Sequence, residues 1–361
     1  MESEKQREMS NKASESFPMN AGDGPNSYTL NSSYQRGGLN IVKEMIDEAI
    51  SEKLDIHVLS TSELFSIADL GCSTGPNTFT VVQNIIDAVK LKFQSHCIEF
   101  QVFFNDHVSN DFNTLFKLLP SSRTYFAGGQ PGSFHGRLFP KASLHFVHSS
   151  YALHWLSVVP NEVVNESSPA YNKGRIHYGN AAKEVIDAYS AQFAKDFEAF
   201  LQARAQELVP GGLMALLLPG IPDDTPPSQS PFVRLFELMG LSLADMTRMR
   251  LVSEAQLDSF NLPVYNASLE ELKALIGKNG RFSIERMEPV FRYAPTAETC
   301  TIHLRAGGME RVFSEYFGSE IMDEFFDRFA KKVAESSILA DLTEQNSAEL
   351  FVLLQRKSST S

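Results

Sequence analysis

IADLGCSTGPNTF, residues 67–79, decides how this chain is read. An apolar run ends at Leu70, Gly71 and Gly75 follow, and a helical pattern begins at Pro76. The two glycines let the backbone turn sharply and lie close against a ligand. The segment is therefore a strand, a tight turn and a helix start. Asp69, at the end of the strand, is placed to accept a hydrogen bond from an ammonium or hydroxyl group. Neither a Walker lysine nor a full G-x-G-x-x-G is present, so a phosphate cradle is weakly supported. A dinucleotide site would need a third glycine near Asn77.

Three more apolar runs resemble the first: IEFQVFFN (98–105), SLHFVHSS (143–150) and LMALLLPG (213–220). They are nearly continuous rather than alternating, as in parallel strands covered on both faces. Val82, Ile85, Ile86 and Val89 fall at helical spacing after the first run. A longer helical stripe (Val185, Ile186, Tyr189, Phe193, Phe197, Phe200) precedes the fourth and stops at VPGG. Strand–helix alternation of this kind gives an α/β fold, a doubly wound Rossmann-like sheet. PDDTPPSQSP (222–231) then leaves the sheet. Helical patterns continue to about residue 280, and sheet-like runs return at CTIHLRA (300–306) and ELFVLLQRK (349–357). The expected organisation is a disordered tail over 1–17, an α/β core over 18–221, a mainly helical cap over 222–290, and a return to the sheet over 291–361.

The second run closes on Asp106, where an acidic side chain of this architecture meets ribose hydroxyls. Together the two loops describe an adenosine-bearing ligand without a pyrophosphate, and S-adenosylmethionine fits. Composition narrows the rest. The 361 residues carry a net charge of −12 and no basic block. That disfavours nucleic acid and anionic membrane surfaces as partners. No segment reaches the roughly 18 apolar residues of a membrane span. Cys72, Cys97 and Cys300 form no C-x-x-C pair and no disulfide framework. The polar, charged N-terminus and the free thiols lead to an expectation of a cytoplasmic protein.

The motifs NSYTLNSSYQ (26–35), IADLGCSTGPNT (67–78), FFNDHVSNDFN (103–113), PGSFHGRLFP (131–140), HSSYALHWLS (148–157), SPAYNKGRIHY (168–178) and LDSFNLPVY (257–265) stand in an order that resembles the SABATH plant methyltransferases. The resemblance runs from about residue 18 to the C-terminus. It implies methyl transfer from S-adenosylmethionine to the carboxylate of a small plant acid, whether terpenoid, aromatic, jasmonate-like or iridoid, by a homodimer. It places cofactor contacts on Tyr28, Asp69, Cys72, Asn77, Asp106, His107, Ser133, Phe134 and Ser150. Asp69 would take the methionine ammonium and Asp106 the ribose, while His107 stands where leucine is common. The substrate pocket falls on Gln35, Tyr151, His154 and Trp155. A magnesium site found in some members would fall on Asn172, Asp258, the Phe260 carbonyl and Asn261, although DSFN alone reads only as a turn. Asn20 replaces the family's usual lysine, which removes a cation from the substrate entrance.

A carboxylate is already ionised at neutral pH, so its methylation needs no general base. The Gln35 amide and the indole N–H of Trp155, the only tryptophan in the chain, could hold one carboxylate without quenching its nucleophilicity. His154 is then a pocket wall or an auxiliary hydrogen-bond donor. Phe232, Leu235, Phe236 and Met239 recur at helical spacing and read as core or as an apolar pocket lining. Three alternatives stand beside this reading. One is methylation of a ring nitrogen or phenol, with His154 as base. The others are a non-catalytic binder and, more distantly, a nicotinamide oxidoreductase.

Overall fold

LFSIADL forms β1 (Leu64–Leu70), buried almost throughout, and it sits near the middle of a seven-stranded sheet. The computed structural model describes residues 19–22, 24, 27–55, 63–94, 97–290, 297–337 and 348–358; the expected tail over 1–17 lies outside them. Around β1 stand β2 (Glu99–Asp106), β3 (Phe126–Pro131), β4 (Leu144–Ser150), β5 (Leu208–Gly220), β6 (Phe282–Val290) and β7 (Ala348–Arg356), in the order β3-β2-β1-β4-β5-β7-β6. The first five are parallel, while β7 runs antiparallel to both β5 and β6. Chain direction across the sheet reverses between β1 and β4, and a ligand crevice opens outside such strand ends.

Helices cover both faces of the sheet, and the central strands β1, β4 and β5 are apolar on both sides. On one face lie α2 (Ser33–Lys53), which follows the short α1 (Tyr28–Asn31), and α3 (Pro76–Lys92). Their Val42, Ile46, Ile50, Val82, Ile85 and Val89 pack on Ile67, Val102, Phe146 and Leu217. The short α4 (Phe112–Lys117) leads towards β3, and α5 (Asn161–Val164) precedes the long α6 (Lys183–Glu207). On the other face, α6 presents Tyr189, Phe193, Phe197 and Phe200 to Ala68, Val147, Met214 and Leu216.

A third apolar cluster forms the cap. It joins α7 (Pro231–Arg248) and α8 (Glu254–Ser259) to α11 (Glu310–Phe317) and α12 (Met322–Glu335), through Met239, Leu243, Phe260, Phe313, Phe325 and Phe329. The expected division at residue 290 does not match this arrangement. The helix α9 (Leu269–Asn279) packs Leu272 and Ile276 into the sheet's core rather than the cap, and β6 closes the sheet edge. The segment 300–306, expected in a strand, begins inside α10 (Ala297–Leu304) and ends in a π turn at Gly307 and Gly308. Cys300, His303 and Leu304 all line one cleft, an i, i+3, i+4 set that a helix presents on one side and a strand, which sends neighbours such as His303 and Leu304 to opposite faces, does not. Among the described residues no helix is long and apolar enough to cross a membrane.

Candidate active site

The carboxyl ends of β1, β2 and β4 meet where the glycine turn crosses them. Gly71 has φ +80°, and a Cβ there would lie 2.4 Å from the Ala152 Cβ, so only glycine lets the turn pass this close to the loop after β4. The N–H groups of Gly71 and Cys72 both donate to the Asn105 carbonyl, at 2.9 and 3.0 Å. The Asp106 carboxylate accepts from the N–H of Ser73 through Oδ2 and from the N–H of His107 through Oδ1, each at 2.8 Å. Burial pushes the Asp106 pKa up from 3.8 to about 6, against the lowering effect of those two N–H donors; nearby Asp69 raises it further.

These strand ends floor a cleft of about 1350 Å³, its open mouth included. Tyr28, Asp106, His107, Phe134 and Ser150 line it. The Phe134 ring lies 6.5 Å from that of His107, with an edge-on contact to Phe200 behind it at 6.2 Å. Gln35, Tyr151, His154 and Trp155 line the cleft as well. Tyr151 sits in the left-handed region at φ +53°, a strained position held by its N–H bond to the Leu217 carbonyl at 2.8 Å. Gly38 on α2 leaves space for its phenol: a Cβ there would lie 2.0 Å from the Tyr151 hydroxyl. Trp155 is pinned by an antiparallel bridge to Val264, with Tyr265 N–H donating to the His154 carbonyl at 2.9 Å. Desolvation of its charged form pushes the His154 pKa down to about 3, so the ring is neutral at physiological pH. Gln35 Oε1 is buried and makes no hydrogen bond within the protein.

Beyond this polar end the wall is apolar. Phe232, Leu235 and Phe236 of α7 reach it, whereas Met239 stays inside the cap cluster. Cys300, Leu304 and Met309 belong to the same lining. Tyr34, Asn266 and His303 also line the cleft and were not anticipated. The helical spacing of Cys300, His303 and Leu304 is the signal that was available for His303; nothing local marks Tyr34 or Asn266.

Four of the residues carried over from the resemblance lie elsewhere. Asp69 is 3% exposed. Its carboxylate already accepts from the Thr78 hydroxyl and lies 2.6 Å from His148 Nδ1, so it braces the glycine turn from behind rather than facing the cleft. Cys72 is buried beneath the turn. Asn77 accepts from Arg36 Nε at 3.2 Å and donates to the Ser32 carbonyl at 3.0 Å, tying α3 to α2. Ser133 is exposed and is not among the residues lining the cleft. Asn20 does not face the cleft either: its amide donates to Glu310 Oε2 at 2.7 Å and its N–H to the Ala306 carbonyl at 3.3 Å.

Of Asn172, Asp258, Phe260 and Asn261, the two asparagines meet and Asp258 lies against the 172–174 turn, while the Phe260 side chain packs in the cap cluster. Asn172 Nδ2 donates to Asn261 Oδ1 at 2.7 Å, and Asp258 Oδ1 accepts the Gly174 N–H at 2.9 Å. Asn172 Oδ1 is buried without a partner in the protein, so one hard oxygen is left over for a cation. Among the described residues no group of three or more His, Cys, Asp or Glu is gathered for a metal ion.

Residues 14–357 match the family model described as SAM dependent carboxyl methyltransferase. The chain is 45% identical to loganic acid O-methyltransferase of Catharanthus roseus, over 96% of this chain and 95% of that protein. It is 41% identical to farnesoic acid carboxyl-O-methyltransferase of Arabidopsis thaliana, over 96% and 100% respectively. The solved structure of loganic acid methyltransferase with SAH superimposes with a TM-score of 0.91, covering 95% of this chain and 99% of that one. The fold, the glycine turn with its two acidic strand ends and these likenesses agree, and the chain belongs to the SABATH family of S-adenosylmethionine-dependent carboxyl methyltransferases.

Proposed function

We propose that this enzyme methylates the carboxylate of a small, largely apolar plant acid, with Gln35 and Trp155 as the carboxylate's clasp. What carries the reading is a single cleft lined both by Asp106, at the end of β2, and by an apolar set that includes Phe232, Leu235 and Phe236, with Gln35, His154 and Trp155 in the same lining. Bound S-adenosylmethionine supplies an electrophilic methyl on sulfur; the acid's oxygen forms the new C–O bond while the S–CH3 electron pair returns to sulfur. The chain's own tasks are to orient that oxygen and exclude water. Asp106 accepts from the ribose hydroxyls, and Phe134 and His107 border the base. Asp69 acts one step back, on the turn. Tyr151 separates the cofactor from the acid, and His154, neutral at working pH, offers a hydrogen bond without a full charge.

No proton moves in this reaction, so with both substrates saturating kcat should be flat from pH 6 to 9. A slope across that range would instead point to an acceptor nitrogen or phenol that must lose a proton first. His154 is poorly suited to take that proton with its pKa near 3. A methyl-transfer assay with labelled cofactor across terpenoid, aromatic, jasmonate-like and iridoid acids tests the substrate class. Loganic acid belongs in that panel on account of the relative's name. Phe232, Leu235 and Phe236 favour the unglycosylated members, and turnover of glycosylated acids alone would reject the apolar reading.

The proposal extends to magnesium held by oxygens of Asn172, Asp258, Phe260 and Asn261, a tie between the 172–174 turn and the end of α8. Its function would be structural. Magnesium should then raise the melting temperature, and a chelator should lower it. An unchanged melting curve under both treatments removes the ion from the account. A homodimer in the cytoplasm completes the proposal; the unpaired thiols of Cys72, Cys97 and Cys300 suit a reducing compartment. Sedimentation as a monomer, or a fluorescent fusion excluded from the cytoplasm, would count against it.

A further inference from the structure

The loop 131–140 carries Phe134 to the cleft wall, and its two halves are held differently. Its first half hangs from the end of β2: Asn105 Nδ2 donates to the carbonyls of Gln130 and Gly132 at 2.7 and 2.9 Å. Gly132 N–H donates to the Asp106 carbonyl at 2.9 Å. Its second half has no strand to lean on. It is held by two side chains at the last turns of α6, both 0% exposed: Arg204 and Glu207.

Arg204 donates through Nη1 to the Phe134 carbonyl at 2.8 Å and through Nη2 to the Gly136 carbonyl at 3.0 Å. Its Nε donates to Glu207 Oε2 at 2.6 Å. Glu207 Oε1 accepts the N–H groups of Leu138 and Phe139, at 2.5 and 3.0 Å. The guanidinium also lies 5.2 Å over the Phe200 ring, the ring that packs edge-on against Phe134. A buried ion pair is a poor way to gain stability, since apolar replacements of similar volume are often as stable. A buried fork that captures two carbonyls, paired with a carboxylate that captures two N–H groups, instead selects one loop conformation.

We propose that the Arg204–Glu207 pair is a positioning device for cofactor binding: it sets loop 131–140 in its bound shape, with Phe134 against the adenine, before the cofactor arrives. The inference rests on the reading of the cleft lining around Asp106 as the cofactor's. Preorganisation of this kind lowers the ordering cost of binding and acts on affinity, not on the chemical step.

Two variants of the full chain separate positioning from plain structural support. Arg204→Met combined with Glu207→Leu removes both charges together, so no uncompensated charge remains buried. Arg204→Lys keeps the ion pair, but a single ammonium cannot reproduce the fork to Phe134 and Gly136. In each folded variant, the KM for S-adenosylmethionine and the Kd for S-adenosylhomocysteine by calorimetry should rise at least tenfold. The KM for the acid and kcat at saturating cofactor should stay within about twofold, as expected for an effect confined to binding. Cofactor affinity within twofold of the parent in either folded variant overturns the proposal, as does an equal fall in kcat with cofactor KM unchanged. Should neither variant fold, hydrogen exchange on the cofactor-free parent decides: the amides of Leu138 and Phe139 must be among the slow ones, and exchange at surface-loop rates overturns it. Failure of the parent itself to bind S-adenosylhomocysteine would instead overturn the cofactor reading beneath it.

Discussion

Replacing Asp106 with alanine should weaken S-adenosylmethionine binding about ten- to a hundredfold, the roughly 1.5–3 kcal/mol of hydrogen bonds to a charged group. Two effects combine in that loss. The ribose hydroxyls lose their acceptor, and the N–H groups of Ser73 and His107 lose theirs, which loosens both loops at once. Asp106→Asn separates the two: one amide oxygen can still accept, but the amide nitrogen must face an N–H donor or a hydroxyl. Its loss should therefore fall between those of the parent and the alanine variant. The parent also makes a pH prediction. Only the ionised carboxylate accepts fully from the ribose, and burial has raised the pKa to about 6. Cofactor affinity should therefore be constant above that pH and fall as pH drops through it, approaching tenfold per unit. In Asp106→Ala this dependence should vanish. Titration calorimetry with S-adenosylhomocysteine between pH 5 and 8 measures both effects, and an alanine variant that binds as tightly as the parent would remove Asp106 from the ribose.

Which parts of the molecule could be read from the chain follows from burial. β1, β4, β5 and β7 were recognisable because both faces of each are covered, so they are apolar without alternation; β2 alternates in burial over its first half but keeps an apolar run to its buried end. β3 and β6 were not, because they are the two sheet edges. FAGGQP is short and glycine-rich, and FSIERMEPV keeps most of its residues half-buried. The cap was anticipated only in part. An amphipathic helix carries the same stripe whatever it covers, so the pattern of α9 could not say that it packs on the sheet. Nor could it say that the chain would return to the cap after β6 with α10, α11 and α12. In the site, Gln35, Asp106, Phe134, His154 and Trp155 were placed by motif and do share the cleft. Asp69 looked equivalent to Asp106 in the chain, since both end a strand. It differs only because Thr78 and His148 close over its carboxylate, and neither neighbour is implied by strand position. Arg204 and Glu207 lie in ARAQEL, which resembles an ordinary polar helix end, and nothing local marks them as fully buried.

Trp155→Phe should lower kcat/KM for the acid about ten- to a hundredfold while leaving the Kd for S-adenosylhomocysteine unchanged. Phenylalanine keeps an apolar ring against the Val264 bridge and the cap cluster, so the fold and the cofactor's contacts should survive. What it removes is the indole N–H, a hydrogen bond to a charged group worth about 1.5–3 kcal/mol. The carboxylate is most negative before reaction and loses charge as the C–O bond forms, so that hydrogen bond weakens on the way to the transition state. A donor of this kind holds and aims the acid rather than stabilising the transition state, and its loss should appear chiefly as a raised KM, with a smaller fall in kcat from poorer alignment. Gln35→Leu should behave the same way if both groups clasp one carboxylate. The double variant should then lose less than the sum of the single losses, because an acid freed by one donor is already misaligned for the other. Full activity in Trp155→Phe would dissolve the clasp. Strictly additive losses would mean that Gln35 and Trp155 act on different parts of the substrate, and that the acid's orientation is set by His154 or Tyr151 instead.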